Sequence, residues 1–120
     1  MRRRLLIVDD RELDRELLVQ IFEELHDIEL ATDGETAVDV AAATSPDLVL
    51  LDIGLPGLTG LEAVRAIKAR AGGVPVIAVS SRVMPGDREQ ALAAGFDEFV
   101  SKPIDDVRLV EIVDRLLDGR

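Results

Sequence analysis

Five short apolar runs alternate along the chain with stretches of helical periodicity. The runs are Leu5–Val8, Ile28–Ala31, Leu48–Leu51, Val74–Val79 and Glu98–Val100. The first, third and fourth are almost wholly apolar, which predicts strands covered on both faces. Ile28-Glu29-Leu30 alternates and Glu98 interrupts the last run, so these two predict edge strands.

The intervening segments read as helices. Leu13, Leu17, Ile21 and Leu25 recur every four residues, and Leu18 and Phe22 widen that stripe. Thr32 followed by Glu35, and Thr59 followed by Glu62, carry the spacing of a capping box at the second and third helices. Pro85 suits a first helical turn and Gly95 a helix end. Val107, Val110, Val113 and Leu117 predict the inward face of a fifth helix.

A β-α repeat of this kind, joined by short right-handed crossovers, predicts an α/β doubly wound (βα)5 sandwich. Of the doubly wound strand orders, 2-1-3-4-5 leaves the second and fifth strands at the edges, where their weaker hydrophobicity fits. The expectation is one domain over residues 1–120. No linker, repeat or effector domain is expected.

The net charge of -10 argues against a nucleic-acid surface, which needs clustered Lys and Arg. Arg2, Arg3 and Arg4 form a basic cluster that reads as a solvated lead-in to the first strand. The absence of cysteine excludes disulfides and thiol chemistry. The apolar stretch before Asp9 is too short for a secretion signal or a spanning helix, which predicts a cytoplasmic protein without membrane contact.

Asp9 and Asp10 end the first run, Asp52 follows the third, and Lys102 follows the fifth, just before Pro103. In one parallel sheet these groups converge at the carboxyl edge, where open α/β sheets place their sites. Clustered carboxylates repel unless a cation neutralises them, and hard oxygen ligands suit magnesium. A lysine adds a compact charge suited to phosphate. The pattern points to metal-assisted phosphoryl chemistry. Each residue also has a plainer reading: Asp10 as a helix cap, Asp52 as a strand-end polar residue, Lys102 as a solvated cation, Ser80 and Ser81 as groups bonding their own backbone. The combination outweighs them. Of fourteen basic residues only Lys68 and Lys102 are lysine, and Lys68 and the lone His26 read as surface residues.

Val8-Asp9-Asp10, the segment from Asp47 to Gly57 containing Asp52, Gly60, Ile77 to Ser81, Ala94 to Asp97 and Lys102-Pro103 together resemble the response-regulator receiver domain, the CheY-like module of bacterial two-component signalling. Among single-domain members the chain is most similar to the polar-differentiation type. The resemblance implies that Asp52 is the phosphoacceptor, supplied by a sensor histidine kinase or a histidine phosphotransfer protein. It implies magnesium, with manganese as a substitute, bound directly by Asp10, Asp52 and the Gly54 backbone carbonyl and through water by Asp9. Lys102 would pair with the carboxylate and then a phosphoryl oxygen, and Pro103 would follow a cis bond. Ser80 and the aromatic Phe99 would act as switch residues. The output would be a phosphorylation-dependent surface on helix 4, strand 5 and helix 5 that binds a downstream protein. The unit would be a monomer or weak homodimer and not an enzyme, beyond catalysing its own phosphoryl transfer and dephosphorylation.

Departures from the family pattern are Phe rather than Tyr at position 99, no side chain at Gly54, and a long cation at Arg82. Arg82 is expected to shield the phosphoryl group from water. Three rival readings fit less well. A haloacid-dehalogenase-type phosphatase needs a second acid where Gly54 stands. A flavodoxin-type module needs aromatics to stack on flavin, and the chain has no Trp or Tyr. A phosphorylation-independent interaction domain has no need of the complete site set.

Overall fold

The computed structural model of the chain describes residues 2–54, 58–81 and 83–119. The strands are β1 (Arg4–Val8), β2 (Asp27–Ala31), β3 (Leu48–Asp52), β4 (Val76–Ser80) and β5 (Glu98–Ser101). The helices are α1 (Glu12–Phe22), α2 (Gly34–Thr44), α3 (Gly60–Arg70), α4 (Asp87–Ala94) and α5 (Asp106–Asp118). All strand pairs are parallel, in the order β2-β1-β3-β4-β5. The three strands whose residues are almost all apolar therefore lie in the middle, as expected of strands covered on both faces.

Alternation along each strand divides the core in two. Leu5, Ile7, Leu48, Leu50, Ile77 and Val79 face α1 and α5. Leu6, Val8, Val49, Leu51, Val76 and Ala78 face α2, α3 and α4. Leu50 is fully buried, and truncating such a leucine to alanine costs about 2–5 kcal/mol.

Several local expectations shift. The four-residue stripe faces the core only in part: Leu13 is 80% exposed, Ile21 packs against the core, and the flanking Leu18 and Phe22 are the buried residues. A buried face on an isolated stripe cannot be told from an exposed one by spacing alone. The second helix is capped by Asp33, which accepts from the Thr36 amide at 2.8 Å, and not by Thr32. The Thr59–Glu62 capping box is formed as expected. Helix α4 starts at Asp87 after a left-handed Gly86, so Pro85 lies in the preceding turn; Gly95 ends the helix in the left-handed region. On α5, Leu109 and Ile112 are buried with Val113 and Leu117, and Val107 is exposed. Strand β4 begins at Val76 rather than Val74, because Pro75 has no N–H to offer a ladder.

Arg2, Arg4, His26 and Lys68 make structural contacts where the sequence suggests solvation. Arg2 donates to the carbonyls of Glu23, Glu24 and His26 at the end of α1, and Arg4 donates to the Thr44 carbonyl. His26 is 6% exposed, with Nδ1 accepting from the Arg3 amide. Lys68 bridges Asp97 and the Val74 carbonyl. Glu98 is buried in β5 yet bonded to Arg88 of α4 and Arg115 of α5.

Candidate functional site

Register assembles the site. Val8 pairs with Leu51, so Asp9 and Asp52 emerge side by side at the carboxyl ends of β1 and β3. Asp52 pairs with Val79, which brings Ser80 to the same edge, and the Lys102 amide donates to the Ser80 carbonyl at 2.7 Å. The Lys102–Pro103 peptide bond is cis. The β3–α3 connection is held close by glycine: a Cβ on Gly60 would lie 2.5 Å from the Ile53 Cα, so α3 can begin directly against the residue after Asp52 only with no side chain there.

Asp9, Asp10 and Asp52 each offer a carboxylate oxygen, and these oxygens lie within 4.8 Å of one another. At such separations each like-charge pair repels by about 3 kcal/mol at an effective dielectric of about 20. Asp9 is fully buried and Asp52 nearly so, while Asp10 is exposed. Both oxygens of Asp52 are oriented: Oδ1 accepts from the Gly54 amide at 2.8 Å and Oδ2 from Lys102 at 3.2 Å. The Asp9 carboxylate accepts from the Arg11 amide at 2.9 Å, so it is Asp9 rather than Asp10 that ties down the start of α1.

Lys102 Nζ lies 3.0 Å from Asp9, 2.9 Å from Asp14 and 3.2 Å from Asp52. Burial pushes the Asp9 carboxyl up, and the neighbouring Asp52 charge adds to this; bonds from the Arg11 amide and Lys102 offset only part. Burial alone would lower Lys102, but its bonds to Asp14 and Asp9 and the charge of Asp52 win and drive it above the usual lysine range. This favours the charged ammonium, which three carboxylates contact while Asp10 stands beside them. The residual negative charge and the hard oxygen donors fit a small divalent ion such as magnesium.

A cavity of about 360 Å³ opens onto Asp52 between α3 and α4, bordered by Gly54, Thr59, Ser80, Met84 and Gln90. A second, of about 400 Å³, runs along the α4, β5 and α5 side past Val83, Arg88, Phe99 and Arg108. Ser80 is buried, and the Phe99 ring packs in the core shared with α2, α3 and α4. Arg82 and the Leu55-Pro56-Gly57 segment lie outside the described residues.

Asp9, Asp10, Asp52, Gly54, Ser80 and Lys102 come together as the sequence suggests. Asp14 is the residue that reading missed. An acid in the first turn of a helix is ordinarily a favourable partner for the helix dipole, which hides its contact with a lysine 88 positions away. Spacing offered one signal, since Asp14 follows Asp10 by a helical turn.

The model of the response regulator receiver domain matches residues 5–114. The response regulator PleD of Caulobacter vibrioides is 38% identical over 112 residues, covering 91% of this chain and 25% of PleD, so the chain spans about a quarter of that relative. The polar-differentiation response regulator DivK of Brucella ovis is 35% identical over 116 residues, 94% of each chain. Among solved structures, the receiver domain of the sensor histidine kinase PA1611 from Pseudomonas aeruginosa PAO1, with a magnesium ion coordinated in its active-site cleft, superposes with a TM-score of 0.89 at 30% identity, covering 98% of this chain and 99% of that one. With its strand order, its acidic edge and these relatives in agreement, the chain belongs to the response regulator receiver domain family.

Proposed function

We propose that this receiver domain accepts a phosphoryl group on Asp52 from a phosphohistidine of a sensor histidine kinase or phosphotransfer protein. The reading rests chiefly on one observation: Asp52 is a nearly buried carboxylate oriented by the Gly54 amide and Lys102 beside two further aspartates. An Asp52 oxygen attacks phosphorus, the phosphorus–nitrogen bond breaks, and the imidazole nitrogen leaves with the bonding pair. Lys102 then holds a phosphoryl oxygen. Asp10, Asp52 and the Gly54 carbonyl would hold magnesium, with Asp9 bonding through water, and the ion would supply positive charge to the phosphoryl oxygens. Catalysis of this kind is positioning and neutralisation, which a prearranged acid–lysine edge provides.

Incubation with acetyl phosphate and magnesium should add one phosphoryl group by intact mass, and Asp52→Asn should abolish the addition. Phosphorylation of Asp52→Asn at the wild-type rate would show that another residue is the acceptor.

The output proposed is protein binding through α4, β5 and α5. Ser80 ends β4 above the acceptor, Phe99 lies in β5, and the groove beside them exposes Val83 at 59%. New charge on Asp52 draws Ser80 and its loop toward the phosphoryl group and alters the packing of Phe99. Amide shifts on adding beryllofluoride, a phosphoryl mimic, should extend from Ser80 through α4 and β5 to Val110. Shifts confined to the surroundings of Asp52 contradict a two-state switch.

A further inference from the structure

A lysine ammonium has three N–H donors, and at Lys102 each has a carboxylate within hydrogen-bond distance. Asp52 and Asp9 have roles in the proposed phosphoryl site. Asp14 has none, yet its contact is the shortest of the three, at 2.9 Å. It is also the most hydrated: its side chain is 33% exposed, against 1% for Asp9 and 9% for Asp52.

A phosphoryl group on Asp52 brings oxygens that need a Lys102 donor, so one of the three carboxylates must let go. Releasing Asp9 leaves a buried carboxylate without its cation, which is strongly unfavourable. Releasing Asp14 leaves a carboxylate that water can solvate. A cavity of about 150 Å³ borders this contact between Leu17, Leu18, Pro103 and Ile104, giving the released side chain room to turn. Asp14 also adds a fourth negative charge to an edge that must admit a phosphoryl anion.

Resting on the phosphoacceptor reading above, we infer that Asp14 is a positioning residue that competes with the phosphoryl group for Lys102. It holds the ammonium in place while Asp52 is free, and it sets a threshold against phosphorylation. Its own charge is what matters, acting through Lys102 rather than through contact with the donor.

The affinity for beryllofluoride, measured calorimetrically at saturating magnesium, tests this in wild type, Asp14→Asn, Asp14→Glu and Asp52→Asn. Asn keeps the shape and removes the charge, so Asp14→Asn should bind roughly tenfold tighter, as loss of a partly screened like charge predicts. The charge-retaining Asp14→Glu should stay within about twofold of wild type, which a purely structural role for the aspartate shape would not predict. Equal or weaker binding by Asp14→Asn, with wild type binding normally, overturns the competition. Should wild type bind no better than Asp52→Asn, the phosphoacceptor reading fails, and the role assigned to Asp14 fails with it.

Discussion

The two lysines of this chain stand at opposite ends of the sheet in opposite company. At the amino end of β4, Lys68 meets one carboxylate, Asp97, at 2.7 Å and one carbonyl, that of Val74. Asp97 in turn accepts from the Val76 amide. Nearby at the same end, Arg2 closes the carbonyls that finish α1. Each of these charges is matched locally, and the groups staple loops to strands. At the carboxyl end, Lys102 faces three carboxylates and Asp10 stands beside them. A charge that is balanced on the spot needs nothing further. A cluster left negative after its lysine is used fits a small divalent cation.

Removing each lysine exposes this difference, and Lys102 should give the larger effect. Lys102→Met leaves Asp9 buried with no cation, so unfolding in chelator should become easier by about 3 kcal/mol. Magnesium should restore much of that loss, since it neutralises the same carboxylates. Lys68→Met should cost about 1 kcal/mol, because the pair is partly exposed and Asp97 keeps its backbone partner. Magnesium should leave that loss unchanged. Denaturant titrations of both variants with and without magnesium make the comparison, and magnesium rescue of both or neither would erase the distinction between the two ends.

A smaller effect belongs to His26 at the amino end. Burial lowers its pKa below 6.5, opposed in part by Asp114 and assisted by Arg2 and Arg3. The unfolded chain therefore takes up the proton more readily than the folded one. Stability from the neutral imidazole is fully present above pH 6.5 and declines as pH falls through that value toward the folded pKa. Protonation also removes the lone pair that accepts from the Arg3 amide. Between about pH 7 and 5, wild type should lose stability faster than His26→Gln. Parallel pH profiles for the two would mean that the imidazole stays accessible to protons in the fold.

The strand order and the acidic edge were legible in the sequence because both follow from patterns that local residues carry. Uninterrupted apolar runs mark central strands, and a parallel register fixes what lies at their carboxyl ends. Helix faces were less legible. Of the regular stripe, Leu13, Leu17 and Leu25 are exposed and only Ile21 packs against the core, since periodicity gives a stripe and not its partner. Partnerships over long sequence separations were also hidden. Lys68 with Asp97, Glu98 with Arg88 and Arg115, and Asp14 with Lys102 all depend on the packed fold. Charged residues at such positions look like solvated surface until the neighbouring elements are in place.

On this reading the carboxyl edge is an incompletely neutralised cation site, while the amino edge is closed. A magnesium titration followed by backbone amide resonances tests it directly. Saturable shifts should centre on Asp9, Asp10, Asp52 and Gly54, leave the amides around Lys68, Asp97 and Arg2 unmoved, and weaken at least tenfold in Asp10→Ala. Shifts spread evenly over the acidic surface, or unchanged affinity in Asp10→Ala, would contradict the account.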